Sequence, residues 1–521
     1  MKKYIFAAIV IASITLPAVN TIPPQDEENK SHFIVKAGTD PQLFADNYII
    51  EQLSGGAQLR LHHPEPREVA ILHDEPWEGS NCHYHSIFRD GNIFRMYYRG
   101  MQIGNKDNPA AAPHPPVFCY AESTDGINWT KPELGIYDFE GSRNNNIILA
   151  ERDFGDFHFV PGDNAAMFKD SNPAVTPGEQ YKALVHVPRL KGLVAFKSPD
   201  GINWTPLKQE PVITDGAFDS QNIAFWDKEN DRYRAYWRYF TNESPENRYS
   251  GTRSIRTATS EDFIHWENTT NLTFPGSPEE QLYTNQIIPY FRAPKIFIGF
   301  PTRYIDRGWS ESMRLLPESQ HRILRSKVNQ RYGTALTEGL FMMSRDGVAF
   351  TRWNEAFLRP GIEREGTWNY GQQFIAWGIL ETKSDLEGAP NEISLYATEN
   401  GWTGNSNILR RYTLRIDGFV SVYAPLSGGE LITKKMIFEG NELLLNLSSS
   451  AAGDITVEIL DENGKPLDGY TRDDCPPVFG DSLEKKVYWT QGSDLSQLKG
   501  RPVQLKFYIR DADLYSFRFN M

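Results

Sequence analysis

The sequence predicts an all-β fold, a five-bladed β-propeller followed by a small C-terminal β-sandwich. Three observations carry the prediction. A phrase recurs along the chain: Ser123-Thr124-Asp125-Gly126-Ile127-Asn128-Trp129, then Ser198-Pro199-Asp200-Gly201-Ile202-Asn203-Trp204. A drifted copy follows at Ser260-Glu261-Asp262-Phe263-Ile264-His265-Trp266, another at Ser344-Arg345-Asp346-Gly347-Val348-Ala349-Phe350, and a weak one at Asp417-Gly418-Phe419. A repeat of roughly 60–85 residues, each copy a strand, an Asp-Gly turn and an aromatic, marks propeller blades rather than helices. Next, five pairs of strand-like runs precede the five copies. Finally, aromatics make up 13% of the chain beside 40 Gly and 33 Pro, which favours many short strands and tight turns.

In chain order, Met1-Lys2-Lys3 and the apolar run Tyr4 to Leu16 form a basic head and apolar stretch, with small residues near Ala18. Residues 1–22 therefore read as a secretory signal peptide, which places the protein in the periplasm or outside the cell. That run is too short to span a bilayer, and no other stretch is apolar and long enough, so no transmembrane segment is expected. Residues 23–424 are assigned to the propeller and 425–521 to the sandwich. Within the first of these, 23–45 form a polar leader and Leu59 to Pro64 a strand.

The innermost strands of the blades are read at Asn81 to Phe88, Asp163 to Phe168, Asp219 to Trp226, Tyr283 to Phe291 and Tyr370 to Leu380. Second strands follow at Phe94–Tyr98, Tyr181–Val185, Tyr233–Trp237, Ile296–Phe300 and Ile393–Tyr396, rich in aromatic and β-branched residues. The run from Arg303 to Arg331 interrupts the fourth blade and accounts for the longest repeat spacing. Such an insertion lies on one rim, often over a site. Beyond Ala424 the phrase stops, and alternating runs such as Ile455–Ile459 and Val503–Phe507 read as the strands of the sandwich.

A net charge of −13 argues against a nucleic-acid partner, since phosphate binding needs a basic surface. Three Cys are too few for a disulfide scaffold, although Cys82 and Cys119 flank the first blade and are candidates to pair. Nothing has zinc-ligand spacing, and no motif calls for a cofactor; a structural Ca2+ in the channel is the one ion entertained. The oligomeric state is not legible.

A propeller gathers the starts of its inner strands around one axis, and cleaving a glycosidic bond there requires two carboxylates. Asp163 and Asp219 open adjacent inner strands at the same register. Glu78, Glu280, Glu338 and Glu365 stand before or beside other blades. The alternative for each is a turn or rim acid bonded to backbone. His83 and His85, two apart on a strand, face one way and suit ligand contact or a satisfied core pair better than a metal site. His62 and His63 stand near them. Arg60, Arg99 and Arg303 near strand ends, with Trp77, Trp309, Trp368 and Tyr370 near loops, are candidates for sugar contact, against surface or core roles.

With Lys131-Pro132-Glu133-Leu134-Gly135 after the first phrase, and inner strands that open on an acid, residues 40–424 resemble the five-bladed propeller glycosidases related to glycoside hydrolase families 32 and 43. The chain looks most like secreted bacterial family-32-like proteins. The resemblance implies an Asp nucleophile or base, a second Asp that holds substrate, and a Glu general acid. The Trp-Met-Asn-Asp-Pro, Arg-Asp-Pro and Glu-Cys motifs of the fructosidases are absent, so fructan specificity is not implied. The expectation is an exported glycoside hydrolase acting on a plant or algal oligosaccharide or polysaccharide. Its catalytic set would be Asp163, Asp219, Glu338 and Glu78, with His83, His85, Arg60 and Trp368 binding substrate. The rival is a non-catalytic glycan-binding propeller.

Overall fold

A computed structural model describes residues 33–104, 108, 112–162, 164–244, 247–402, 404 and 406–521. The predicted leader at 1–22 therefore lies outside the described residues. Five four-stranded antiparallel sheets follow one another along the chain as the blades of a propeller. Blade one runs Ser86–Asp90, Ile93–Gly100, Val117–Ser123 and Ile147–Leu149. Blade two runs Ala165–Lys169, Tyr181–Val187, Gly192–Ser198 and Thr205–Pro206. Blade three runs Ile223–Asp227, Arg232–Phe240, Arg253–Ser260 and Trp266–Asn271. Blade four runs Ile288–Tyr290, Ala293–Gly299, Met342–Ser344 and Phe350–Arg352.

Blade five takes three strands from Leu380–Thr382, Glu392–Glu399 and Ile408–Leu414. Its outermost strand is Glu65–Leu72, from the other end of the chain, with Ile408 opposite Leu72 and Tyr412 opposite Pro66. The ring is thus closed by hydrogen bonding between the first and last parts of the propeller, which leaves that edge paired.

The recurring phrase makes the turn from third to fourth strand. In four copies the Ser hydroxyl accepts from the backbone N–H of the following Asp and of the residue after it. The Asp carboxylate accepts from the next two N–H groups. The turn needs φ > 0 at its third position, hence Gly126, Gly201 and Gly347. It also carries inter-blade contacts. Tyr396 of blade five donates to Gly126 O, and Tyr236 of blade three donates to Gly347 O at 2.9 Å. A Cβ on Gly201 would lie 2.5 Å from the Tyr97 hydroxyl of blade one.

Blade three breaks the pattern in two places at once. Its turn has Phe263 at φ 69°, fully buried, and the second strand of blade two has Leu184 where blades one, three and five have Tyr97, Tyr236 and Tyr396. Both join one apolar cluster, so packing replaces the hydroxyl–carbonyl contact. A second series of links runs beside the first. Asp90 and Asp170, which end or follow first strands, pair with Arg95 and Lys182 of their own blade and accept from Tyr181 and Tyr233 of the next.

Outside the blades, Ile50–Gly55, Gln58–Leu61, Val420–Ala424, Gly429–Thr433, Glu442–Leu460, Asp481–Lys486 and Gln504–Asn520, with the short Gln42–Leu43, form one eight-stranded sheet. Its two long strands slip register between Asn446 and Leu447 and between Ser449 and Asp454, where extra residues let them bend. Leu443, Leu445, Val457, Phe507 and Phe517 fill its core. Cys82, Cys119 and Cys475 are all free thiols, so the expected Cys82–Cys119 bridge is not formed. Burial pushes the Cys82 and Cys119 thiols up, away from thiolate chemistry. No helix among the described residues is long and apolar enough to cross a membrane.

Candidate functional site

The segments that lead into the first strands are not themselves strands. They carry buried amides and turn at positive φ at Tyr84, Gln286 and Gln373. These amides bond to one another between blades. Gln221 donates to Tyr84 O at 2.9 Å, and Gln286 donates to Gln221 Oε1 at 2.7 Å and to Ile375 O at 2.9 Å. The polar ring fixes the backbone at the axial end, where a cluster of Tyr84, Tyr283, Tyr304, Tyr370, Phe374 and Trp402 is assembled from blades one, four and five.

Asp219, on the segment entering blade three, stands beside this cluster. Its side chain is 42% exposed, and Oδ2 lies 3.8 Å from Nη2 of Arg238, which is 3% exposed. The Arg238 guanidinium sits 4.8 Å from the Tyr283 ring, and Arg253 lies 4.5 Å from that of Tyr304. The Tyr370 hydroxyl donates to that of Tyr283 at 3.0 Å. Burial lifts the Tyr370 and Tyr84 hydroxyls well above 10, so both are neutral donors at physiological pH. Burial opposes the Arg238 charge, but Tyr283 and Asp219 outweigh it and raise its pKa.

The insertion reaches the same place. Thr302–Asp306 pairs with Ala335–Gly339, and between them run helices Glu311–Leu315, Ser319–Ser326 and Arg331–Thr334. Tyr332 stacks on Tyr370 with ring centroids 6.0 Å apart and packs against Trp402 at 4.7 Å with its ring tilted by 41°. Arg331 lies 5.5 Å from the Tyr370 ring.

The expected site residues are distributed as follows. Asp163 lies outside the described residues; its neighbour Asn164 donates to Phe218 O at 2.7 Å, next to Asp219. Glu78 is 1% exposed, accepts from Tyr98 at 2.5 Å and pairs with Lys131 at 2.6 Å, so its carboxylate is already engaged. Glu338 pairs with Arg303 at 2.9 Å. Glu280 takes Arg303 and Arg352, and lines a cleft of about 220 Å³ with Thr252 and Ser254, the neighbours of Arg253. Glu365 is exposed on a loop.

His83 and His85 do not share a face, because Tyr84 between them has φ 61° and the strand starts only at Ser86. The His83 ring packs on Phe374 at 5.2 Å, and neither of its nitrogens has a hydrogen-bond partner among the described residues. His85 stacks on Tyr98, and its Nε2 lies 3.1 Å from His73 Nε2. His73 Nδ1 faces Asn407 O at 3.2 Å and must carry a proton, so His73 Nε2 accepts from His85 Nε2–H.

Arg60, expected at the funnel, stands in the eight-stranded sheet, 3.2 Å from Asp513 and over the Tyr423 ring. His62 bonds Ser421 there, and His63 faces Phe357 O. Trp368 is half-buried, its indole bonded to Gly361 O at 2.8 Å, and its carbonyl takes Arg322. Trp77 is buried against Asn146, and Arg99 lies over Tyr84. Tyr370 is thus the one candidate aromatic from the sequence that the structure puts inside the cluster; Tyr84, Tyr304, Trp402 and the three arginines were not anticipated. Among the described residues no group of three or more His, Cys, Asp or Glu stands together as a metal site.

No family model matches the sequence, and no curated protein matches it. Solved structures do. One described as a glycoside hydrolase is 12% identical, covers 68% of this chain and 92% of its own, at a TM-score of 0.41. A glycosyl hydrolase from Bacteroides ovatus is 16% identical over 71% of this chain and 97% of its own, at 0.38. A third, reported under the words "The GH130 family of mannoside phosphorylases contains glycoside hydrolases that target beta-1,2 mannosidic linkages in Candida mannan", is 14% identical over 68% and 94%, at 0.41.

Proposed function

We propose that the protein is an exported glycoside hydrolase that cleaves a plant or algal oligosaccharide at the axial mouth beside Asp219. The observation that supports this reading most is the convergence there of one half-exposed carboxylate, neutral tyrosine hydroxyls and aromatic faces. Sugars offer apolar C–H faces for stacking and hydroxyls for hydrogen bonds, and the edges this largely buried cluster leaves open, each aromatic residue 5–8% exposed, would meet both. An Asp beside a guanidinium suits the nucleophile or base of the reaction, which attacks the anomeric carbon or takes a proton from water. Asp163 is the second carboxylate of the proposal. Glu280 and Glu338 are weak candidates for the acid because their oxygens are taken by Arg303 and Arg352.

The rival, a non-catalytic glycan-binding propeller, is favoured by one observation. Asp219 is the only carboxylate that forms an ion pair with the arginines of the cluster among the described residues. The two readings separate when Asp219→Asn and Asp163→Asn are assayed on a glycan panel. Hydrolysis that falls at least about a hundredfold in each supports the hydrolase. Hydrolysis that survives both changes overturns the site, and binding without cleavage by the unmodified protein favours the rival.

A further inference from the structure

Three guanidinium groups, Arg238, Arg253 and Arg331, surround Tyr283, Tyr304 and Tyr370. Among the described residues one carboxylate, Asp219, answers the three charges. Arg238 Nε donates to Ala217 O, and Asp219 stands 3.8 Å from its Nη2. Arg253 donates to the neutral Gln281 Oε1, and its Nε has no partner among the described residues. Arg331 forms no ion pair among the described residues, and the nearby Asp306 accepts from Thr334 and Gly308 instead.

The insertion adds Arg322 and Arg325, both fully buried, whose bonds go to backbone carbonyls and to Asn369. Burial and the Arg238 charge together lower the pKa of Arg253, a sign of like charges held close. Elsewhere Arg411, Arg234 and Arg352 are matched by carboxylates: Arg411 has Glu68 and Glu392, Arg234 has Asp227 and Arg352 has Glu280.

Partly desolvated cations in excess of their counter-charge are costly, so an anion that joins them gains more than it would in water. We propose that this mouth takes an anionic sugar residue, its oxyanion seated among Arg238, Arg253 and Arg331 and its ring against the tyrosine faces. The inference rests on the glycan-directed reading above and narrows it. A uronate carboxylate and a sulfate ester both supply that chemistry, and the planar guanidinium fork fits either. A chain of net charge −13 that concentrates arginines at one rim also draws an anionic ligand against its own overall field, which makes the attraction local and sensitive to salt.

The test uses the full chain carrying Asp219→Asn, so that ligand is not consumed. Its affinity is measured by calorimetry for a uronate-containing oligosaccharide, for the carboxyl-reduced neutral counterpart and for a sulfated neutral oligosaccharide. The uronate or the sulfated ligand should bind roughly tenfold or more tighter than the reduced one. Whichever of the two does so identifies the source of the charge. Adding Arg331→Ala or Arg253→Ala should remove about tenfold of the anionic affinity and leave the neutral affinity nearly unchanged, while Arg89→Ala, exposed on blade one, changes neither. Where an alanine variant fails to fold, Arg331→Lys and the salt dependence of the parent protein give the same reading. Equal affinity for neutral and anionic ligands, with arginine variants that weaken both alike, overturns the inference and leaves the glycan reading standing. No binding to any of the three ligands overturns both.

Discussion

Three buried imidazoles, His73, His83 and His85, titrate far below their free values because burial excludes the charged ring. His73 falls from 6.5 to about 3. Between those values the unfolded chain holds more protons than the folded one. Stability is therefore complete above about pH 6.5 and declines as the pH drops toward 3. Calorimetric melting between pH 7.5 and 5 should show a falling Tm, with about 1.4 kcal/mol lost per pH unit for each buried histidine. His83→Leu should flatten that slope by one proton and hold or raise stability at neutral pH, since no hydrogen bond is lost. At the mouth, Asp219→Asn should lose turnover and lower the Tm modestly, because the carboxylate is half-exposed yet is the counter-charge of the buried Arg238. Asp219, Tyr283 and Tyr370 were within reach of the sequence because all stand at the entry to an inner strand, where the repeat sets the register. Arg253 and Arg331 were not. They come from a third strand and from an unrepeated insertion, so no periodicity marks them.

At the level of strands, the second strand of every blade was legible as an aromatic or β-branched run. The first strands begin later than their sequence pattern suggests. In blade one the strand starts at Ser86 instead of Asn81, and in blade five it starts at Leu380, where the expected strand ends. The residues ahead of them satisfy their polar groups across the axis rather than in a ladder, which a pattern of alternation cannot distinguish. The Leu184–Phe263 pair offers a test of how blades are joined. Phe263→Gly alone should cost about 3 kcal/mol or more by emptying a buried site, and Leu184→Tyr alone about 1–3 kcal/mol by overpacking. Together they rebuild the tyrosine–glycine contact seen at Tyr236 and Gly347, so urea midpoints should show the double variant less destabilised than the sum of the two. In the opposite sense, Gly347→Ala should destabilise through its φ of 75° and the 2.7 Å approach of a Cβ to the Tyr236 hydroxyl.

For the molecule as a whole, the five-bladed count followed from the repeat, but the closure did not. Nothing in Glu65–Leu72 signals a partner more than 300 residues away, because strand pairing at long range leaves no local pattern. The eight-stranded sheet hides its N-terminal members for the same reason. A chain ended at Ala424 should therefore fail to yield soluble protein, as Ile50–Gly55 and Gln42–Leu43 would lose Gly429–Thr433 and Gln504–Asn520; expression and sedimentation would show it. The pairing of Gln42–Leu43 with Gln504–Asn520 also sets a clock. Gln42 and Leu43 lie opposite Phe517 and Ser516, so this early strand finds its partner only after the whole propeller has been made. Refolding should be slow, since the most distant contacts close the largest loops.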